Sequence, residues 1–542
     1  MDPPARFSFE RRANADEKTS SVDVKNADEK AKKRGTTFIS SGVDDDYYKP
    51  IARYEGIHRY DTKFEWEPEE ERKVVRKIDY RICTWVCLMF FALQLDRGNI
   101  SQALSDNMLN DLKLSTNDYN YGQTIFYVSF LAAELPSQLI SKKLGPDRWI
   151  PIQMVAWSLV ASMQAFLSGR SSFYVCRALL GLIEGGFIPD NILYLSYWYT
   201  GSELPKRLSF FWVSYQSTNV IAAFLAYGIL RLRGVNGMEG WRWLFALEGA
   251  LTGVIGILSY FYLPPSPTQT ASKFRGKDGW FNEHEEKIMV NRILRDDPSK
   301  GDMHNRQALS LRAIGRCLMD YHMWPLYLAG LSWLIPNSPM QAYLTLQLRS
   351  VGFDTFQTNL LTIPAYALFI LQLLFWTWIS EKVNERFLVA LTSQLWSLPI
   401  LIALSILPKT TGPWVKWALS VLLVGHPYMH AILVALGSRN AGTVRTRTVA
   451  SALYNMSVQA SSIIASNIYR NDDKPLYRRG NRVLIGITVY NIFVFIGAKL
   501  FYVRVNKKRD EKWNAMSQQE KEHYLATTTD KGNKRLDFRF AH

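Results

Sequence analysis

The sequence predicts an all-α membrane protein of twelve transmembrane helices in two six-helix halves, and three observations predict it. From about Asp79 to Val505, runs of about 20 almost wholly apolar residues alternate with short polar breaks; at 1.5 Å rise per residue such a helix crosses the roughly 30 Å hydrocarbon core of a bilayer. A polar stretch of about 55 residues then divides the runs six and six. Finally, the mean hydropathy of -0.10 averages these runs with a polar head, middle and tail, so composition is bimodal along the chain.

The elements follow in order. Residues 1–64 are polar and charged, with NADEK at both Asn14–Lys18 and Asn26–Lys30, and are expected to form a disordered cytosolic head. Over 65–80 a juxtamembrane helix is expected, with Pro68 at its first position, Glu69, Glu70 and Glu71 in its first turn, and Arg72, Lys73, Arg76 and Lys77 following. The N-terminal half, 81–263, holds spans 1–6 at about 81–103, 121–141, 149–168, 172–197, 207–230 and 242–263. A cytosolic loop, 264–320, contains a helix capped by Asn282, with Glu285 reaching back and Ile288, Met289 and Ile293 on one face. The C-terminal half, 321–505, holds spans 7–12 at about 322–345, 358–380, 387–407, 413–437, 447–469 and 482–504, and 506–542 is a cytosolic tail.

Charge and cysteine usage exclude other classes. The net charge of +16 comes from 64 Lys and Arg against 48 Asp and Glu, and because the basic residues flank apolar runs they serve insertion topology rather than nucleic acid. The uncleaved basic stretch Arg72–Lys77 and the basic central loop place both termini in the cytosol. Cys83, Cys87, Cys176 and Cys317 are four in 542 residues; they read as small hydrophobes, not a disulfide framework or metal site. His426 and His430, four apart on span 10, lack a third ligand and read as cavity-lining or packed. Without a phosphate loop, metal triad or nucleophile motif, no enzyme and no cofactor is expected.

Charges inside the spans are the functional signal, since each costs about 2.5 to 3.5 kcal/mol on insertion scales. They concentrate in the first half: Asp96 and Arg97 in span 1, Glu134 in span 2, Arg177, Glu184 and Asp190 in span 4, and Glu248 in span 6. Arg177, Gly181, Glu184, Ile188 and Asn191 fall at steps of four, three, four and three on one stripe. Along it Arg177 and Glu184 stand about 10 Å apart. Gly181, Gly185 and Gly186 let a neighbouring helix approach, expected to be span 1 with its Arg97. A fixed guanidinium suits an oxyanion, and a buried carboxyl beside it can exchange a proton as the guanidinium alternates between substrate and carboxylate. Arg97 and Arg177 are therefore the candidate anion ligands, with Asp96, Glu184, Glu134 and Glu248 the candidate proton carriers. Asp96–Arg97 and Arg177–Glu184 can equally be static ion pairs. Tyr127, Asn191, Tyr215, Gln216, Asn455 and Gln459 are candidate uncharged contacts.

LDRGNI at Leu95–Ile100, ELPSQLI in span 2, and RALLGLIEGGFIP running into SYWYTGSELPKR resemble the anion:cation symporter family of the major facilitator superfamily, in its fungal allantoate permease-like branch. RWLFALEG entering span 6 and LPPSPTQT leaving it resemble the same branch. The resemblance implies anion binding by Arg97 and Arg177 and proton carriage by Asp96 and Glu184. The loop SKKLGPDRW matches the superfamily's Gly-x-x-x-Asp-Arg loop only in part, and Asp190 departs from the family pattern. The function expected is a proton-coupled symporter importing a small anion: a carboxylate such as allantoate, nicotinate or pantothenate, or a sulfur oxyanion such as sulfite or thiosulfate. An exporter of an acidic metabolite and a non-transporting nutrient sensor are the alternatives. The protein is expected to act as a monomer in the plasma membrane.

Overall fold

The computed structural model describes residues 50, 52, 54–200, 203–296, 315, 318–408, 410–441, 444–528, 530 and 532–542. Most of the expected head, the loop segment around Cys317 and the Gln216 side chain lie outside the described residues.

Helices form over all twelve expected runs. In the first half the helices are α1 (Pro68–Ile78), α2 (Thr84–Ser105), α3 (Thr116–Leu144), α4 (Pro146–Met163), α5 (Arg170–Glu184) with α6 (Phe187–Leu195), α7 (Leu204–Ile229) and α8 (Gly240–Tyr262). Helix α9 (Glu283–Asp296) lies in the central loop. The second half comprises α10 (Trp324–Ser332) with α11 (Ser338–Ser350), α12 (Thr355–Leu361) with α13 (Ile363–Val383), α14 (Phe387–Ile406), α15 (Pro413–Val424) with α16 (His430–Asn440), α17 (Val444–Ala465) and α18 (Arg478–Ala515). Six helices among the described residues, counting consecutive pairs as one, are singly long and apolar enough to cross a membrane.

Spans 4, 7, 8 and 10 are each two helices rather than one. Gly185 and Gly186 break span 4, where backbone freedom disfavours helix. Pro336, Pro364 and Pro427 stand at the other breaks, each removing a backbone donor. The break in span 10 also separates His426 from α16, so His426 and His430 do not lie on one continuous helix.

Three large clusters of buried apolar side chains organise the chain. One draws on both halves, with Tyr119, Phe173 and Trp241 from the first and Tyr343, Tyr469 and Tyr477 from the second. It lies at the end of the bundle opposite α1, here termed the apical end. At the basal end, which carries α1 and α9, each half has a separate cluster: one confined to residues 66–289, the other to 323–540. Among the described residues the halves thus share an apolar cluster apically and keep separate ones basally. Polar contacts also join the halves apically: the Tyr343 hydroxyl bonds Asn120, Asn120 Nδ2 donates to the Tyr469 carbonyl at 2.6 Å, and Asn467 donates to Thr124 at 2.8 Å.

At the basal face the sequence-level caps are realised. Glu67 and Glu70 close a capping box on α1, with Pro68 at its first position. Asn282 accepts from the Glu285 amide while Glu285 reaches back to the Asn282 amide, and Ile288, Met289 and Ile293 are buried. Helix α9 clamps the inner ends of the first half: Arg292 bonds Glu203 at 3.0 Å and the Trp198 carbonyl at 2.6 Å, and Lys77 meets Glu285 at 2.8 Å. Burial pushes the Arg295 guanidinium of α9 down to about 10. Residues 54–64, grouped with the disordered head in the expectation, instead fold onto this helix. Arg59 pairs with Glu286 at 2.9 Å, and Asn291 accepts from the Asp61 amide. In the tail, α18 continues to Ala515 and Phe540 is buried over His322 and Tyr502.

Spans 2 and 4 approach backbone to backbone. A Cβ at Gly181 would stand 2.3 Å from the Phe126 carbonyl oxygen, and one at Gly185 2.7 Å from that of Phe130. The small-residue face therefore admits span 2, not span 1 as the sequence led us to expect. Gly181→Val is expected to lower the thermal midpoint of the purified protein sharply, as overpacking costs about 1–3 kcal/mol even where neighbours can yield. Gly228→Ala, which meets nothing within 4 Å, is the matched control and leaves it unchanged.

Candidate functional site

Spans 1, 2 and 4 bring the expected charges together near mid-bundle, in a different pairing from either static pair considered above. Arg97 Nε donates to Glu184 Oε2 at 2.6 Å across the two spans. Asp96, next to Arg97 on the helix, points elsewhere and accepts from Trp157 Nε1 of span 3 at 3.1 Å. Arg177 makes no ion pair among the described residues; its Nη2 donates to Gln123 Oε1 at 2.7 Å, and Gln123 in turn donates to the Tyr119 hydroxyl. Glu184 is buried, and Arg97 keeps 18% of its side chain exposed.

One aromatic ring joins the two guanidiniums. Phe126 lies 4.4 Å from the Arg177 guanidinium carbon and 5.6 Å from that of Arg97, which also sits 4.8 Å from the Phe130 ring. The negative faces of these rings offset part of the cost of burying the cations. Arg97 Nη2, Arg177 Nε and Glu184 Oε1 are buried without a hydrogen-bond partner among the described residues. Buried donors left open on two arginines are what an oxyanion would satisfy, since an unmade hydrogen bond to a charged group is costly.

The remaining candidates divide. Tyr127 packs edge-on to Phe126 at 5.4 Å and is half-buried beside the site. Tyr215 is half-buried with its ring 6.3 Å from Phe90. Asn455 and Gln459 are half-buried on span 11. Asn191 is buried and donates to the Phe187 carbonyl of its own helix at 2.8 Å, so it belongs to the turn after the span 4 break rather than to the arginine cluster. Glu248 is buried on span 6, and Glu134 and Asp190 are buried together further toward the basal end. His430 stacks edge-on to Trp212 at 5.2 Å, and no group of three metal-ligating side chains occurs among the described residues.

Sequence reasoning missed Gln123, Phe126 and Trp157. The helical step from Tyr119 through Gln123 and Phe126 to Phe130 was readable as one stripe. Nothing in it showed that the stripe faces span 4 and not lipid.

The sequence profile described as "Major Facilitator Superfamily" matches residues 86–466. An "Uncharacterized transporter" of Saccharomyces cerevisiae is 47% identical over 513 residues, covering 93% of this chain and 95% of that protein. A "Putative tartrate transporter" of Agrobacterium vitis is 33% identical over 231 residues, covering 43% of this chain and 51% of that protein. Among solved structures, a D-xylose-proton symporter superposes with a TM-score of 0.58 at 14% identity, over 77% of this chain and 97% of that one. This last likeness is one of fold.

Proposed function

Because the chain is a membrane transporter belonging to the Major Facilitator Superfamily, we propose that it is a proton-coupled symporter importing a small anion. The observation that carries this reading is the arginine pair around Phe126, in which Glu184 is the sole carboxylate bonded directly to either guanidinium among the described residues. Two fixed cations against one carboxylate leave a local excess of one positive charge, which an anion neutralises. The substrate class is a carboxylate such as allantoate, nicotinate or pantothenate, or a sulfur oxyanion such as sulfite or thiosulfate. The relative named for tartrate supports an anionic substrate.

The coupling follows from the Arg97–Glu184 bond. While Glu184 is ionised it occupies Arg97. A proton on Glu184 removes that charge and frees Arg97 to join Arg177 on the anion, so proton and anion arrive together. Each can shift the equilibrium between states only by its differential affinity for them. In this reading the basal face is cytosolic, with both termini on that side, the apical end faces outward, and the protein works as a monomer in the plasma membrane.

Labelled nicotinate, pantothenate, allantoate, sulfite and thiosulfate are offered to reconstituted vesicles under an imposed inward proton gradient. The reading expects accumulation of at least one of them, abolished by an uncoupler. Anions that raise thermal stability without accumulating would replace it with a sensor. Preloaded anion leaving against its own gradient would replace it with an exporter.

A further inference from the structure

Spans 1–6 bury more negative charge than the site just described uses. Asp96, Glu134, Glu184, Asp190 and Glu248 are each more than nine-tenths buried. Against these five carboxyls the same spans bury the guanidinium of Arg177 and most of that of Arg97 among the described residues. An ionised carboxylate without a cation partner is not sustained in a low-dielectric interior; it takes up a proton instead. Glu184 alone of the five has an ion-pair partner among the described residues, which leaves a proton as the neutralising species for the others.

Asp190 opens span 4 anew after the Gly185–Gly186 break, about 9 Å along the helix from Glu184 by residue rise. Neither of its carboxyl oxygens has a hydrogen-bond partner within normal distance among the described residues. The groups that bear on it are Ser137 and Ser141 of span 2 and the carboxyl of Glu134, one turn earlier on the same span; no cation among the described residues joins them. Span 3 presents Trp149 and Gln153, both of which donate to the Ser137 oxygen at 2.9 Å. With two donors on its oxygen, the Ser137 hydroxyl must turn its own proton outward, and a Cβ at Gly186 would lie against both that oxygen and Asp190 Oδ2. Spans 2, 3 and 4 thus enclose two carboxyls, two hydroxyls and no described positive charge.

We propose that Asp190, with Glu134 beside it, forms a second proton-binding site, basal to the Arg97–Glu184 pair, that holds a proton on one carboxyl and releases it at the basal face during turnover. The site rests on the symport reading for its use in coupling, but not for its occupancy. The proton forms an O–H bond on one carboxyl, and it leaves as a proton. No other reactant is needed.

The occupancy test does not require transport. Infrared difference spectra of the bilayer-reconstituted protein, recorded across a pH titration, are compared for wild type, Asp190→Asn and Glu134→Gln. The expected result is a carbonyl-stretch band of a protonated carboxylic acid that disappears in Asp190→Asn and is shifted in Glu134→Gln. Asp190→Asn is expected to leave the thermal midpoint unchanged, because asparagine resembles the neutral acid. A spectrum unaltered by Asp190→Asn, or a large drop in its midpoint, would show that Asp190 is an ionised structural group and overturn the proposal. For coupling, one additional proton is worth up to tenfold accumulation per unit of pH gradient. Asp190→Asn is accordingly expected to lower accumulation of whichever panel anion the wild type concentrates by about tenfold while leaving anion exchange intact. Unchanged accumulation would remove the site from the coupling cycle. Wild-type vesicles that concentrate no anion would refute the symport reading instead, leaving the infrared result to decide occupancy.

Discussion

Arg177→Ala is expected to abolish anion uptake while leaving the empty protein at least as stable as wild type. The guanidinium is buried, bonds only Gln123 among the described side chains and forms no ion pair. Its desolvation is therefore a standing cost that the ring of Phe126, 4.4 Å away, offsets only in part. When an anion binds, that cost becomes a charge-assisted contact, and removing one partner of such a buried pair costs about 3–5 kcal/mol. At 1.4 kcal/mol per tenfold this is a loss of affinity of more than about a hundredfold. Arg177→Lys keeps the charge but loses the planar fork and is expected to fall between the two. Concentration-dependent uptake and ligand-induced thermal shift, measured on the same preparations, check both variants. A loss of stability in Arg177→Ala equal to its loss of uptake would mean the arginine is structural.

Glu184→Gln is expected to weaken proton coupling without stopping transport. Glutamine approximates the protonated acid, so Arg97 is released permanently from the 2.6 Å bond that holds it. Exchange of labelled for unlabelled anion across the membrane then continues, whereas accumulation driven by a pH gradient falls by the share that the Glu184 proton carries. For one coupled proton the loss is up to tenfold per pH unit. The pH dependence of exchange flattens in the same variant. Equal loss of exchange and accumulation would place Glu184 in the anion site or in the packing of spans 1 and 4, and not in proton transfer.

The sequence made the spans legible because about twenty apolar residues in a row leave a membrane helix as the economical reading, and a helix or helix pair forms over each of the twelve, with the twelfth running on to Ala515. Local signals were equally readable. Pro68 at a first helical position, and Asn282 with Glu285 three residues on, depend on neighbours in the chain alone. Partner choice between helices was not readable. Arg177 and Glu184 share a stripe by spacing, yet Glu184 pairs with Arg97, because Gly181 and Gly185 seat span 4 against span 2 while Arg97 reaches across from span 1. Phe126 looks like any lipid-facing or core aromatic until the arginines on either side of it are seen. The folding of residues 54–64 escaped for a similar reason. Their few apolar groups, such as Tyr54, are buried only because α9 stands opposite them.

The central claim is that anion and proton move inward together through the Arg97, Arg177 and Glu184 cluster. The most direct test records both fluxes at once, with a pH-sensitive dye inside wild-type vesicles and labelled anion added outside at equal pH. The account predicts that the interior acidifies as the anion enters, that both signals vanish in Arg177→Ala, and that Glu184→Gln retains exchange with less acidification per anion than wild type. Anion that enters wild-type vesicles with no change in interior pH, or with alkalinisation, would contradict it.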